Sequence, residues 1–156
     1  SSGSITNNNF IASYYKQVWK TKKKKRRVDI FFKDNAILEL IIVPEEKESP
    51  RINYIGMSQR TDPISSFLNL LSGKEKSGTI DGRRIYLMVV KERIKKEMFT
   101  NKRVVIEKYI NIWADHKRND LEYIEFDQLD SNNTINLLPH KIKIKFKGME
   151  FNLVKI

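Results

Sequence analysis

The C-terminal stretch Lys141–Ile156 alternates between polar and apolar side chains, a period of two that is typical of half-buried β-strands. Up to Leu153 the alternation breaks only at Lys147 and Gly148, which predicts a two-residue hairpin turn between antiparallel strands. Lys147 is the less suited of the two, because type I′ turns favour Asn or Asp there. This register puts six apolar side chains on one face, pairing Phe146 with Met149, Ile144 with Phe151 and Ile142 with Leu153. The chain is therefore expected to contain antiparallel sheet.

Alternation and turn residues predict five more strands upstream of this hairpin. Asp34 and Asn35 tolerate left-handed backbone angles, so the segments on either side of them are expected to form a hairpin. Asp81 and Gly82 carry a second hairpin signal. The five strands are predicted over residues 27–33, 36–43, 52–57, 84–90 and 121–126.

Helical segments are predicted in two or three places. Asp62 can cap exposed backbone N–H groups and Pro63 fits the first helical turn, so a helix is expected from there to Gly73. Residues 91–99 fit a second helix, and residues from about 100 to 113 fit a third. The β-branched residues of that third segment leave a strand open as well. Residues 14–21 are read either as a short helix or as an extended arm.

Short connections between predicted strands favour antiparallel pairing. We therefore predict an α+β fold with a mostly antiparallel sheet or a small β-barrel, and two to three helices. An OB-like barrel, the oligonucleotide-binding type, is one candidate, because such barrels often place a helix between strands. A PH-like barrel, the pleckstrin-homology type, is the other, although such barrels typically end in a helix and this chain ends in a predicted strand.

The 156 residues fit a single domain with two leading segments. Ser1, Ser2, Gly3 and Ser4 have the composition of a vector-derived remnant, and the sequence does not begin with Met. We therefore expect a piece of a larger protein. The expected division is a disordered lead over residues 1–13, a basic arm over 14–27 and one α+β domain over 28–156.

The charge of the chain is strongly positive, with 30 Lys and Arg against 19 Asp and Glu and a net charge of +11. Such a balance indicates a polyanionic partner, above all nucleic acid. Basic residues concentrate over 16–33, 83–108 and 141–155, whereas residues 120–130 are acidic. The acidic stretch is expected either to fold back onto a basic segment or to bind a separate basic partner.

Basic residues and neighbouring aromatic residues make up the predicted binding site. A dense Lys and Arg run can contact phosphates or be read by a nuclear-import receptor, or it can be a solvated arm. Alternate lysines on a late strand can follow a phosphate backbone or protect a sheet edge from aggregation. The predicted phosphate contacts are Lys22, Lys23, Lys24, Lys25, Arg26, Arg27, Arg83, Arg84, Lys141, Lys143 and Lys145. Tyr15 and Trp19 are the predicted stacking residues.

Catalytic and membrane-spanning functions are not expected from this sequence. The chain has no Cys, which excludes disulfides, Cys-ligated zinc and a Cys nucleophile. His116 and His140 lack a spaced carboxylate cluster, and no phosphate-binding or nucleophile motif occurs. We therefore expect no enzyme activity, metal or cofactor. The longest apolar run, residues 36–43, contains Glu39 and is far below the roughly 20 residues that span a bilayer.

These observations predict a nuclear nucleic-acid-associated binding module of a larger protein, contacting the phosphates of DNA or RNA through basic patches. The alternative is a protein-interaction or scaffolding domain of a nuclear complex, in which the basic run serves only as an import signal. A continuous basic surface would favour nucleic acid, whereas basic residues confined to an arm beside an exposed apolar patch would favour a protein partner. A surface that binds acidic lipids shares the charge but lacks a basic amphipathic helix.

Overall fold

The computed structural model describes residues 1–96, 98–115, 120–129 and 138–155. Over these ranges the chain forms ten strands and one helix, α1 (Pro63–Leu71). The first sheet contains β1 (Ser2–Thr6), β2 (Asn9–Lys20), β3 (Lys25–Lys33) and β4 (Ala36–Val43). The second sheet contains β5 (Lys76–Ile80), β6 (Arg84–Lys95), β7 (Phe99–Asn111), β8 (Leu121–Leu129), β9 (Lys141–Phe146) and β10 (Met149–Val154).

Each sheet is an antiparallel meander in which every strand pairs with its neighbours in sequence. The mostly antiparallel sheet predicted from the sequence is confirmed. Neither an OB-like nor a PH-like barrel forms, since the two sheets stay open. The described residues also contain one helix, where two to three were predicted.

The predicted C-terminal hairpin forms in the expected register. Phe146 pairs with Met149, and Ile144 pairs with Phe151 two residues further from the turn. Lys147 and Gly148 adopt left-handed angles, with φ of 50° and 74°. Both residues of a type I′ turn need positive φ, so the turn is of the type that the alternation requires.

The helix predicted from Asp62 and Pro63 is confirmed as α1. Asp62 is fully buried, and its Oδ1 accepts hydrogen bonds from the backbone N–H groups of Ile64 (2.9 Å) and Ser65 (3.2 Å). These contacts satisfy two N–H groups that have no partner inside the helix. At the other end, the side-chain amide of Gln128 donates to the Leu71 carbonyl at 2.6 Å.

The segment from residue 100 to 113 is mostly strand β7, so the helix expected there is wrong. β7 pairs with β6 from Thr100 to Asn111 and with β8 from Phe99 to Val104. Apolar residues that fit one face of a helix also fit a long strand, and pairing on both sides decides between them. The helix expected over residues 91–99 is also wrong, since β6 continues to Lys95 and β7 begins at Phe99. Glu97 of that segment lies outside the described residues.

Three other segments differ from the sequence expectation. Residues 1–13, expected as a disordered lead, form β1 and the start of β2. Within the segment 14–21, read as a short helix or an extended arm, residues 14–20 form the rest of β2, which ends at Lys20. Residues 52–57 form no strand and touch the first sheet through backbone bonds such as Gly56 N–H to the Ile37 carbonyl at 2.8 Å.

Two apolar cores hold the fold together. The first joins the two sheets and includes the fully buried Ile30 of β3 and Ile80 of β5. The second lies between α1 and the second sheet, where Leu70 packs near Phe126 of β8. In the described ranges no helix is both long and apolar enough to cross a membrane. The first core fixes the base of the β2–β3 hairpin, and the far end of that hairpin extends beyond it.

Candidate nucleic-acid interface

The basic run forms the tip of the β2–β3 hairpin. Lys20 and Lys25 form the last residue pair between β2 and β3, and the chain reverses direction between them. The Thr21 N–H donates to the Lys24 carbonyl at 2.7 Å, and the Lys24 N–H donates to the Thr21 hydroxyl at 3.1 Å. Hydroxyl side chains stabilise turns by such local bonds. Thr21 therefore closes the turn, and the segment expected as an arm is ordered.

The lysines of this tip are exposed and lie apart from acidic side chains. Lys20 and residues 22–25 are exposed, and within the described residues none of these five lysines forms an ion pair with a carboxylate. The next two basic residues differ, because Arg26 lies 3.5 Å from Glu46 and Arg27 lies 2.8 Å from Asp29. The uncompensated charge of the hairpin is thus concentrated at its end. We call Lys20 and residues 22–25 the lysine tip.

One aromatic side chain lies beside the lysine tip. Trp19 is 55% exposed and pairs across the hairpin with Arg26. Tyr15 is 7% exposed and belongs to the first core, so it is not placed to stack on a base. Burial raises the pKa of the Tyr15 hydroxyl to about 12. Of the two predicted stacking residues, Trp19 is the accessible one.

Arg83 and Arg84, at the β5–β6 turn, form ion pairs with carboxylates. One of these carboxylates, Glu46, also contacts the β2–β3 hairpin. Arg83 lies 3.2 Å from Glu46, the carboxylate that also contacts Arg26. Arg84 lies 3.4 Å from Asp81. Burial raises the pKa of Asp81 to about 6, although Arg84 acts to lower it. Arg83 and Arg84, which were both predicted as phosphate contacts, are therefore each paired with a carboxylate of the protein.

Two of the three lysines of the β9 stripe form ion pairs within their own sheet. Lys143 lies 2.9 Å from Glu150, and Lys145 lies 3.1 Å from Glu122. These hydrogen bonds raise the pKa of both lysines and lower the pKa of both carboxyls. β9 lies between β8 and β10, so the edge-protection reading of the stripe is wrong. Lys141 is exposed and pairs in register with Asp127.

The acidic stretch folds back onto basic strands, which is the first of the two expected outcomes. Its strand β8 lies between β7 and β9. Arg103 Nε donates to Glu125 at 2.7 Å, and the Arg103 guanidinium lies 4.8 Å from the Tyr123 ring. Asp130 of this stretch lies outside the described residues.

Comparison of the chain with known protein families, curated proteins and solved structures finds no match. Of the two histidines, His140 is exposed, with its ring 5.6 Å from that of Phe99, and His116 lies outside the described residues. Within the described ranges, no three His, Asp or Glu side chains are grouped so as to hold a metal ion.

The predicted basic patches do not merge into one surface. The lysine tip lies next to Trp19, and Glu46 joins Arg83 to Arg26 behind the tip. Lys143 and Lys145 pair with carboxylates on the other sheet. Lys20 is absent from the predicted contacts, although the basic run begins with it. Its pairing with Lys25 across the turn places it at the tip.

Proposed function

We propose that the protein binds single-stranded nucleic acid through the lysine tip and Trp19. The single observation that carries this proposal is the cluster of exposed lysines, without carboxylate partners among the described residues, beside an exposed tryptophan. Lysines release counterions from phosphates, and an exposed indole stacks on an unpaired base. Arg26, which pairs with Trp19 across the hairpin, continues the same face along β3 and shares its charge with Glu46. A nuclear location remains a prediction from the basic run alone.

Charge on both sides of the turn favours nucleic acid over an acidic lipid surface. A hairpin that enters a membrane interface places apolar side chains deepest and keeps its cations at headgroup level. Here the farthest residues are lysines, and Trp19 and Val18 lie behind them on β2. The basic run can serve as an import signal only if the receptor binds residues 22–27 while they form a turn and a paired strand, rather than as an extended segment.

The test is fluorescence anisotropy with labelled single-stranded DNA, RNA and duplex DNA across a salt series, with vesicles containing phosphatidylserine as a separate arm. Changing residues 22–25 from Lys to Gln removes four charges from the tip. The matched control changes Lys47, Lys96, Lys108 and Lys155 to Gln, which removes the same charge from exposed sites elsewhere.

The tip variant is expected to lower the log–log salt slope for single strands by about 2 to 3, at roughly 0.7 per phosphate contact. The control variant is expected to lower it by less than about 1. Equal losses in the two variants would show general charge attraction and overturn the proposal. Binding to vesicles without binding to any oligonucleotide would overturn it in favour of a lipid surface.

A protein-interaction function is the second candidate. It is favoured by basic patches that do not merge and by the exposed apolar side chains along the open edge of β10. Met149, Phe151 and Leu153 are each about half exposed and continue the apolar face of the second sheet. Because Met149 closes a two-residue turn, the alternate residues Glu150 and Asn152 direct their backbone N–H groups away from β9. Such an edge can accept another strand.

Asn152→Pro tests this second function, because proline removes one outward N–H without breaking a bond to β9. Extended peptides selected on the wild-type protein are expected to lose binding to Asn152→Pro, while oligonucleotide binding is retained. Peptides that bind both proteins equally would exclude strand addition at β10.

A further inference from the structure

A polar cleft lies where the two sheets and α1 meet, at the opposite end of β2 from the lysine tip. Its volume is about 280 Å³. The walls come from the start of β2, the β3–β4 turn, the loop before α1, the helix itself, and β5. Among the described residues, the cations that line it are Arg60, Lys74 and Lys76, and no carboxylate does so.

Unsatisfied polar atoms converge on this cleft. In the described part of the chain six buried side-chain nitrogen and oxygen atoms lack a hydrogen-bond partner. Three of the six belong to residues of the cleft: Asn9 Oδ1, Arg60 Nε and Thr61 Oγ1. Thr61 is 9% exposed, so its hydroxyl has little access to bulk water. Buried polar groups normally have partners, so these three atoms are hydrogen-bonding groups that a molecule bound in the cleft can use.

The position of Arg60 depends on a residue without a side chain. A Cβ at Gly78 would lie 2.5 Å from Arg60 Nη1 and 2.3 Å from the Gln59 carbonyl oxygen. The guanidinium therefore lies directly against the β5 backbone. Arg60 Nη1 also donates to the Gln59 carbonyl at 3.1 Å, which fixes the side chain at the cleft wall.

The cations of the cleft are not neutralised by the protein. Among the described residues, neither Arg60 nor Lys74 nor Lys76 forms an ion pair with a carboxylate. The nearby Glu75 contacts Arg93 instead, at 2.8 Å. Guanidinium and ammonium donors beside a hydroxyl make up a usual set of ligands for a phosphate or sulfate group.

We propose that this cleft binds a small molecule carrying a phosphate or sulfate group. Arg60, Lys74 and Lys76 supply the charge, Thr61 donates a hydrogen bond to the oxyanion, and Asn9 Oδ1 accepts one from the rest of the ligand. The site is distinct from the lysine tip, because the twelve residues of β2 span roughly 35 Å at about 3.3 Å each.

Titration of the ¹⁵N-labelled protein with sodium phosphate and sodium sulfate at constant ionic strength, monitored by amide chemical shifts, tests the proposal. Saturable shifts are expected at Thr61 and over residues 76–78, and chloride should not reproduce them. Arg60→Gln is expected to weaken binding at least about tenfold. Lys108→Gln, an exposed control, should leave it unchanged.

Two further variants keep the result interpretable. Lys74 and Lys76 are exposed, so the double change to Gln tests the charge of the cleft if Arg60→Gln fails to fold. Shifts that rise linearly, that chloride reproduces, or that survive both changes would overturn the proposal. The tip variant separates the two sites, because it should lose oligonucleotide binding and keep phosphate binding.

A short oligonucleotide distinguishes the sources of the phosphate group. A free phosphate or monoester should shift the cleft amides, whereas the oligonucleotide should shift those around Thr21 and Lys24. Oligonucleotide shifts confined to the cleft would overturn the proposed function while leaving an anion site. Absence of any phosphate effect would overturn the cleft proposal alone.

Discussion

The Asn69 carboxamide makes both of its hydrogen bonds to the main chain of Phe10. Asn69 Oδ1 accepts from the Phe10 N–H at 2.9 Å, and Asn69 Nδ2 donates to the Phe10 carbonyl at 2.9 Å. Asn69 is 4% exposed and lies on α1, whereas Phe10 lies on β2. A buried side chain thus takes the place of a neighbouring strand and fixes the helix to the first sheet.

Asn69→Ala is expected to lower the free energy of unfolding by about 1 to 3 kcal/mol, because it leaves two backbone groups without partners. Asn152→Ala is the matched control. Its amide makes a 3.3 Å contact with Glu150 at an exposed site, so its loss should cost less than about 0.5 kcal/mol. Urea unfolding of both variants checks this, and similar losses would contradict it.

Lys147→Asn is expected to stabilise the protein by roughly 0.5 kcal/mol, because Asn tolerates the positive φ of a type I′ turn better than Lys does. The change removes an exposed ion pair with Asp120 at 3.6 Å, which offsets part of the gain. Lys147→Ala loses the same ion pair without the conformational gain, so it should be no more stable than the wild type. Thermal unfolding of the two variants provides the measurement.

Asp81 is expected to make stability fall as the pH rises from about 4 to about 6. Burial raises its pKa to about 6 in the folded protein, whereas an unfolded Asp titrates near 3.9. Between these values the folded state binds more protons than the unfolded state, so raising the pH favours unfolding. Above about 6 both states are ionised and the contribution is constant.

Asp81→Asn should remove this dependence. Its unfolding free energy relative to the wild type is expected to increase by on the order of 2 kcal/mol between pH 4 and pH 7. Urea denaturation of the variant and the wild type at both pH values measures this difference in unfolding free energy. The titration of all other carboxyls cancels because both proteins share it. A difference that stays constant with pH would contradict the assignment to Asp81.

Trp19→Ala is expected to weaken binding of single strands by about 5- to 150-fold, equivalent to a stacking contribution of 1 to 3 kcal/mol. Stability should change by less than about 0.5 kcal/mol, since the indole is 55% exposed. The other tryptophan, Trp113, is 6% exposed. Quenching on binding should therefore come from Trp19 and vanish in Trp19→Ala, and quenching that persists would place the bases elsewhere.

Local signals were sufficient for the elements that depend on neighbours in sequence. Residues 36–43 were predicted as a strand with the bounds that β4 has. The register of the β9–β10 hairpin followed from alternation and from Gly148. The start of α1 followed from Asp62, whose carboxylate reaches backbone groups two and three residues away.

Elements that depend on distant residues were missed. Ile106 and Tyr109 fit a helical face as well as a strand, and only pairing with β6 and β8 makes this segment β7. The basic run was identified, but its folding into a hairpin tip requires β3 to pair with β2. Charge compensation is equally non-local, since Glu46 meets Arg83 far along the chain. No local pattern marks Arg60, Lys74 and Lys76 as neighbours.

The sequential order of strands in both sheets also bears on how fast the protein reaches this structure. Among the described residues, strands that follow one another in the chain pair within each sheet, and only β4 and β5, which lie in different sheets, do not. The entropy lost on closing a loop grows with the length of chain enclosed, so adjacent pairings lose the least. The protein is thus expected to assemble hairpin by hairpin, faster than a Greek-key sandwich of the same length.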